Sequence, residues 1–185
     1  MTHLPPDLGH GIIALHDPAV RVLVDGDLPV DPMERAWPRA RMAQTRDVLD
    51  RLARTGTWTA DPAVGALVDD AERLGAPPGD LALVHGDLHV RHVLVDAERQ
   101  PAGVLDWGDV CLADPAVDLA IGYAALAGEA RHAVLRAHGP VDAERELRAR
   151  ALAVRLSALL ADYAAAQGRP QLLTEARAGL RRAAG

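Results

Sequence analysis

The sequence predicts an α+β fold that is mostly α-helical. Three observations carry this. Three four-residue runs rich in Val and Leu, Leu81–Val84, His92–Val95 and Ala102–Leu105, stand close together, as short buried strands do. Helical patterns bounded by cap and stop signals occupy most of the chain on either side. The hydrophobic content is 49%, yet only 3% is aromatic and there is no Phe. Leu, Val and Ala must therefore fill the core, and the small Ala side chain favours closely packed helices.

The elements follow in order. Leu8–His16 is a short helix candidate. Asp17–Asp31 carries Pro18, Gly26 and Pro29 and is expected to be a connecting loop, with one short extended piece at Val20–Val24. Pro32–Thr55 is helical in pattern, with Met42, Val48, Leu49 and Leu52 on one face and Gly56 as a stop. Pro38 must lie near the start of that helix or kink it. Asp61 and Pro62 make an N-cap and a first helical residue for a helix to about Leu74. The strands and their loops come next. Asp114 and Pro115 repeat the cap for a helix to about Ala127, and a short helix is expected near Ala130–Ala137. Asp142 caps a long helix to about Ala166, with Leu147, Ala151, Val154 and Ala158 along one row. Gln171–Arg182 is the last helix, and Arg181 and Arg182 suit its C-terminus.

At 185 residues the chain fits a single domain, or one lobe of a larger one. The net charge is −6 with acids and bases interspersed, which argues against nucleic acid or an anionic membrane as partner. One cysteine, Cys111, excludes an internal disulfide and suits a cytoplasmic setting. The N-terminal MTHLPPDLGH does not read as a signal peptide, and no apolar run approaches the roughly 20 residues of a membrane span.

The chemistry concentrates between Leu81 and Ala120. Polar residues sit where the first and third strands end: His85, Asp87 and His89, then Asp106 and Asp109. Two such strand ends side by side would bring Asp87 and Asp106 to one edge of a small sheet. Carboxylates gathered there repel one another unless a divalent cation neutralises them, and oxygen ligands suit Mg²⁺.

The residues His85-Gly-Asp-Leu-His89 followed by Val-Leu-Val-Asp, then Val104-Leu-Asp-Trp-Gly-Asp109 and Asp114-Pro-Ala-Val-Asp-Leu-Ala120, resemble the aminoglycoside phosphotransferase and choline kinase-like superfamily, which is related to protein kinases. All three motifs occur in order and with tight spacing, so the match is specific. A looser resemblance runs from about Leu8 to the C-terminus. It implies the C-terminal lobe of a protein-kinase-like fold, with a small β-sheet carrying the catalytic and metal loops. The whole of 1–185 is then one such lobe, with a catalytic core at 81–120 and a helical subdomain at 121–185. The implied activity moves the γ-phosphoryl group of ATP to a hydroxyl of a small acceptor such as a macrolide, an aminoglycoside or an amino-alcohol, a chemistry associated with antibiotic resistance. Nucleotide, acceptor and Mg²⁺ (with Mn²⁺ as an alternative) are the implied partners.

Residue by residue, the resemblance makes Asp87 the catalytic base and Asp106 the main metal ligand. His92 departs from the family pattern, which usually has Asn there as a second metal ligand. Imidazole is a poor ligand for Mg²⁺. Three roles are open to His92: binding through a water, favouring a softer ion such as Mn²⁺, or only hydrogen-bonding the loop. Some family members, macrolide phosphotransferases among them, carry His at this place. His85 is expected to brace the backbone near Asp106. His89 caps a turn or touches substrate. Asp114 and Asp118 are expected to be a helix cap and a buried structural carboxylate that tie the following helix to the catalytic loop, and Asp109 lies within reach of substrate. Cys111 and Trp107 are expected to pack rather than react.

Family members also hold the nucleotide phosphates with a Lys on an N-terminal lobe. All 20 basic side chains here are Arg, so this chain offers no nucleotide lysine. No Gly-rich phosphate loop is present either, and the chain is expected to be the C-terminal lobe with the N-terminal lobe absent. An inactive lobe acting as a binding or regulatory module is the competing expectation. A metal-dependent hydrolase built on His85-x-Asp87-x-His89 ranks below it, because the remaining histidines form no further cluster at ligand spacing.

Overall fold

The computed structural model describes residues 14–24, 28–98 and 101–185. Most of the helix expected at Leu8–His16 lies outside them, and residues 14–16 are helical. Among the described residues the helices are α1 (Pro18–Leu23), α2 (Arg39–Arg54), α3 (Pro62–Glu72), α4 (Ala116–Ala125), α5 (Gly128–His138), α6 (Ala143–Ala166) and α7 (Pro170–Ala184). The strands are β1 (Ala82–Val84), β2 (Val93–Val95), β3 (Pro101–Val104) and β4 (Cys111–Ala113). The expectation of a mostly helical α+β fold holds. Among the described residues no helix is long and apolar enough to cross a membrane.

Three local expectations need correction. The segment read as loop with an extended piece at Val20–Val24 contains α1, because Asp17 accepts a hydrogen bond from the Ala19 N–H at 2.8 Å and Pro18 takes the first helical turn. The helix expected from Pro32 begins only at Arg39, since Pro38 stands at its N-cap and the residues before it form turns. The strands do not share one sheet: β1 pairs antiparallel with β4, and β2 antiparallel with β3. The acidic loop after Asp106 thus holds a strand that the sequence did not disclose. Leu112 of that strand also exchanges backbone hydrogen bonds with the Pro29–Asp31 segment.

The core lies between helices. In α4 nearly every side chain is buried, so it is an interior helix, and it packs on α6 and α7. The longest helix, α6, touches α2, α3, α4 and α7. Its inward face is Ala149, Ala151, Leu152, Ala153, Val154, Ser157, Ala158, Ala161 and Ala164. Such small side chains let the helices approach closely, which bears out the packing expected from an Ala-rich chain without Phe. Met42, Leu52 and Val64 fill the space between α2, α3 and α6. A second apolar cluster, formed by Leu88, Ile121, Ala125, Leu126 and Val134, lies beneath the loop that follows β1.

One charged side chain is part of this interior. Arg148 on α6 is wholly buried, and its guanidinium donates to the carbonyls of Ala36, Gly75 and Ala76 at 3.0–3.2 Å. These carbonyls belong to the turns before α2 and after α3, so one side chain fastens both turns to α6. Glu144 lies 3.6 Å from the same guanidinium. Arg148→Met would leave the buried Ala36 carbonyl without its donor and return the Gly75 and Ala76 carbonyls to water, and unfolding in urea should show a loss of about 1–3 kcal/mol.

A second test uses His138, at the end of α5, whose ring meets His16 edge-on with centroids 5.3 Å apart. Burial lowers the pKa of His138 below 6.5, and the charges of His16 and Arg145 act in the same direction. A depressed histidine pKa favours the neutral ring in the fold, so the unfolded chain binds more protons. Stability should be complete above about pH 6.5 and fall as the pH drops below it. His138→Gln should flatten part of that fall in urea midpoints measured at about pH 7.5 and about pH 5.5.

Candidate functional site

The site is built on a buried carboxylate. β1 is three buried residues, and at its end the chain enters the polar loop at His85. The N–H groups of His85 and Gly86 both donate to the carboxylate of Asp118 on α4, at 2.8 and 3.1 Å. Asp118 is completely buried, and the His16 Nε2 lies 3.4 Å from Oδ2, the oxygen that also accepts the His85 N–H. Hydrogen bonds to a carboxylate are shorter and stronger than neutral ones. Gly86 has φ +89°, and a Cβ there would stand 2.2 Å from the Asp109 carbonyl oxygen. Only glycine permits that approach, and it sets the loop carrying Asp87 against the loop carrying Asp109. Leu88, sunk in the second apolar cluster, holds the other end of the loop.

His85 links the same two loops. Its Nε2 lies 2.9 Å from the Leu105 carbonyl, which can only accept, so Nε2 carries the proton. Its Nδ1 is then the acceptor for the Asp87 N–H at 3.3 Å. Both ring nitrogens are thereby engaged, and neither can serve a metal. Trp107 lies against the His85 ring, with centroids 4.8 Å apart, and donates through Nε1 to the Val104 carbonyl at 2.9 Å.

Asp106 follows Leu105 in the left-handed conformation, φ 63° and ψ 63°, and its side chain is exposed. Such a backbone costs on the order of 1–3 kcal/mol for a residue other than Gly and is held by its surroundings. His92 reaches across to Asp106. Its Nδ1 donates to the Asp87 carbonyl at 2.8 Å, leaving the Nε2 lone pair 3.6 Å from Asp106 Oδ2. One imidazole therefore spans the two loops and faces both aspartates. The Asp87 carboxylate lies 3.9 Å from His89 Nε2 and 4.0 Å from His92 Nδ1, beyond hydrogen-bond length. It is half-buried and its oxygens remain available. The His89 and His92 rings stack at 3.8 Å, tilted by 30°. Burial, then the neighbouring His92, holds the His89 pKa below its ordinary value.

The remaining candidates lie further out. Asp109 accepts from Arg35 at 2.8 Å. Asp114 caps the Ala116 N–H at 2.8 Å and accepts from Arg145 Nε at 3.0 Å, joining the start of α4 to α6. Cys111 is buried in β4, and burial, with Asp31 nearby, pushes its thiol up to about 11, so it is no nucleophile. The structure brings together Asp87, His89, His92 and Asp106. It sets His85 and Asp118 beneath them and leaves Asp109 and Asp114 to ion pairs. Sequence reading missed Arg35 and His16. No motif marks Arg35. The Ala-Leu-His ending of the first helix candidate marked His16 only as a place in the chain.

A model of the family described as phosphotransferase enzyme family matches residues 19–152. Among curated proteins, an uncharacterized protein, YcbJ of Bacillus subtilis (strain 168), is 44% identical over 52 residues, which is 28% of this chain and 17% of that protein. Among solved structures, a macrolide 2'-phosphotransferase type I superposes with a TM-score of 0.53 at 22% identity, covering 95% of this chain and 57% of that one. Spectinomycin phosphotransferase APH(9)-Ia, in an AMP complex, gives 0.57 at 18%, covering 96% and 64%. The GDP and kanamycin complex of APH(2")-IIia gives 0.56 at 14%, covering 96% and 60%. At these identities the likenesses establish the fold, and the chain spans less than two thirds of each matched protein.

The anchoring of the loop can be tested without any ligand. Asp118→Asn keeps the shape but offers one acceptor to two N–H donors, so it should lose about 2–4 kcal/mol in urea unfolding. Gly86→Ala should be at least as damaging, since the clash is with backbone. Amide exchange at 85–87 should accelerate in both variants.

Proposed function

Because the chain belongs to the phosphotransferase enzyme family, we propose that it is the C-terminal lobe of a small-molecule kinase, which moves the γ-phosphoryl group of ATP to a hydroxyl of its acceptor. In this reading 81–120 is the catalytic core and 121–185 the helical part beside it. The observation that carries the reading is His85. Its ring holds the Asp87 N–H and the Leu105 carbonyl together, so the loops that carry Asp87 and Asp106 keep a fixed relation.

Phosphoryl transfer asks little covalent chemistry of the protein and much positioning. Asp87 is the base. Its carboxylate is free of strong hydrogen bonds, and it takes the hydroxyl proton as the acceptor oxygen bonds to phosphorus and the bond to the β-phosphate oxygen breaks. His85 fixes the Asp87 N–H and the Leu105 carbonyl together, which keeps the base at a set distance from Asp106. Asp106 has the chemistry for Mg²⁺, being an exposed carboxylate with His92 Nε2 3.6 Å away. Mg²⁺ keeps several waters and takes one or two carboxylates together with substrate phosphates, and it would neutralise the charge on those phosphates. His92 would meet the ion through a water, or would favour a softer ion such as Mn²⁺.

The acceptor is proposed by class. The solved relatives include enzymes for a macrolide and for spectinomycin and a kanamycin complex. A cyclic antibiotic or amino-alcohol with a free hydroxyl fits that company. A second reading rests on one observation: Leu94, Val95, Leu105 and Trp107, which flank the site, are all exposed. In that reading the chain works only when a further lobe covers this apolar floor and supplies the cation for the phosphates.

Calorimetric titration with Mg·ATP, wild type beside Asp106→Ala, separates the two. Saturable, Mg-dependent binding that the variant loses would support the kinase reading. A chain that is folded by circular dichroism yet binds nothing would overturn catalysis by this chain alone and favour the second reading.

A further inference from the structure

We infer that Asp87, His89 and His92 form a second cation site that takes a borderline transition-metal ion such as Zn²⁺ in preference to Mg²⁺. One ring nitrogen from each histidine and one carboxylate oxygen of Asp87 lie within 4.8 Å of one another. Donors on a tetrahedral Zn²⁺, with bonds of about 2.0–2.1 Å, stand about 3.3 Å apart, so a modest closing of three side chains suffices. Asp106 Oδ2, 3.6 Å from His92 Nε2, lies next to this group and outside it.

Two features suit a metal better than the histidine–aspartate cluster suggested by the motif alone. His85 is excluded, because both its nitrogens are engaged in fixing the loops. His92 takes its place: its Nδ1–H is given to the Asp87 carbonyl at 2.8 Å, and Nε2 is the nitrogen left to a metal, on the side of the ring that faces Asp106 at 3.6 Å. Metal-binding histidines are oriented in this way by a backbone or carboxylate acceptor behind the ring. The stacked rings, 3.8 Å apart, leave the two histidines side by side without hydrogen-bonding each other.

The donor set decides the ion. Two imidazoles and a carboxylate suit Zn²⁺, Co²⁺, Ni²⁺ and Cu²⁺, whereas Mg²⁺ demands oxygen ligands and gives up its waters reluctantly. An ion held here would occupy the carboxylate of Asp87. It would then compete with proton removal from an acceptor, a consequence that rests on the phosphotransfer reading. Metal binding itself does not.

Co²⁺ is a suitable probe, since its visible absorption reports tetrahedral coordination. The full chain without an affinity tag should bind one Co²⁺ with tetrahedral bands, Zn²⁺ should displace it stoichiometrically, and a large excess of Mg²⁺ should not. His89→Gln and His92→Gln should each weaken binding by at least about tenfold, while His132→Gln, on the exposed face of α5, should leave it unchanged. Far-UV circular dichroism confirms that the variants are folded. Unchanged affinity in both site variants, displacement by Mg²⁺ at concentrations like those of Zn²⁺, or no protein-bound Co²⁺ bands from the wild type would each overturn the site. Co²⁺ binding by a chain that ignores Mg·ATP would overturn catalysis by this chain alone and leave the metal site standing; Mg·ATP binding without Co²⁺ would overturn the metal site and leave the kinase reading standing.

Discussion

The geometry of the site depends on one buried carboxylate. Asp118 lies on an interior helix that α6 and α7 enclose, so its position is set by the largest packed unit of the molecule. From there it receives two consecutive backbone N–H groups at the end of β1. A charge taken out of water at that depth is expensive unless its acceptor sites are filled. The loop must therefore present His85 and Gly86 inward, and the side chain of Asp87 is left turned to the rim. Gly86 and His85 pass this placement on to the next loop, the first by close backbone approach and the second through its ring. The exposed aspartates stay in register because an unexposed one does.

Much of this was readable from residues, for reasons that differ by element. Asp-Pro pairs marked the starts of α3 and α4, because an N-cap acceptor and a proline without an N–H act locally and need no tertiary partner. The same pair at Asp17-Pro18 was passed over. Gly26 and Pro29 made the whole segment look like a connection, and Val22 and Leu23 gave no inward face to reveal a helix. Strand pairing was beyond local reading. β4 has only three residues and follows an acidic loop, and its pairing with β1 is a contact between distant segments. The His85–Asp109 motifs pointed to Asp87, His89, His92 and Asp106. They could not give the direction of the His92 ring, which is fixed by a backbone carbonyl, nor the ion pair of Arg35 with Asp109, which joins residues far apart in the chain.

The histidine at 92 sets the character of the rim between Asp87 and Asp106. An amide can offer oxygen to a metal and hydrogen-bond a carbonyl at once. An imidazole performs the second task only by committing one nitrogen as donor, and what remains is a nitrogen lone pair facing Asp106. With His89 stacked alongside, two imidazole rings stand beside the carboxylates of Asp87 and Asp106.

The Arg148 cradle has a consequence for the order of events in folding. Its hydrogen bonds join residues 112, 73 and 72 positions apart in the chain. Contacts that close such long loops form after local helices have docked, because the entropy of closure must be met before they contribute. The cradle thus belongs to the late, native side of the barrier. Interactions of that kind govern how long a folded molecule survives more than how quickly it forms.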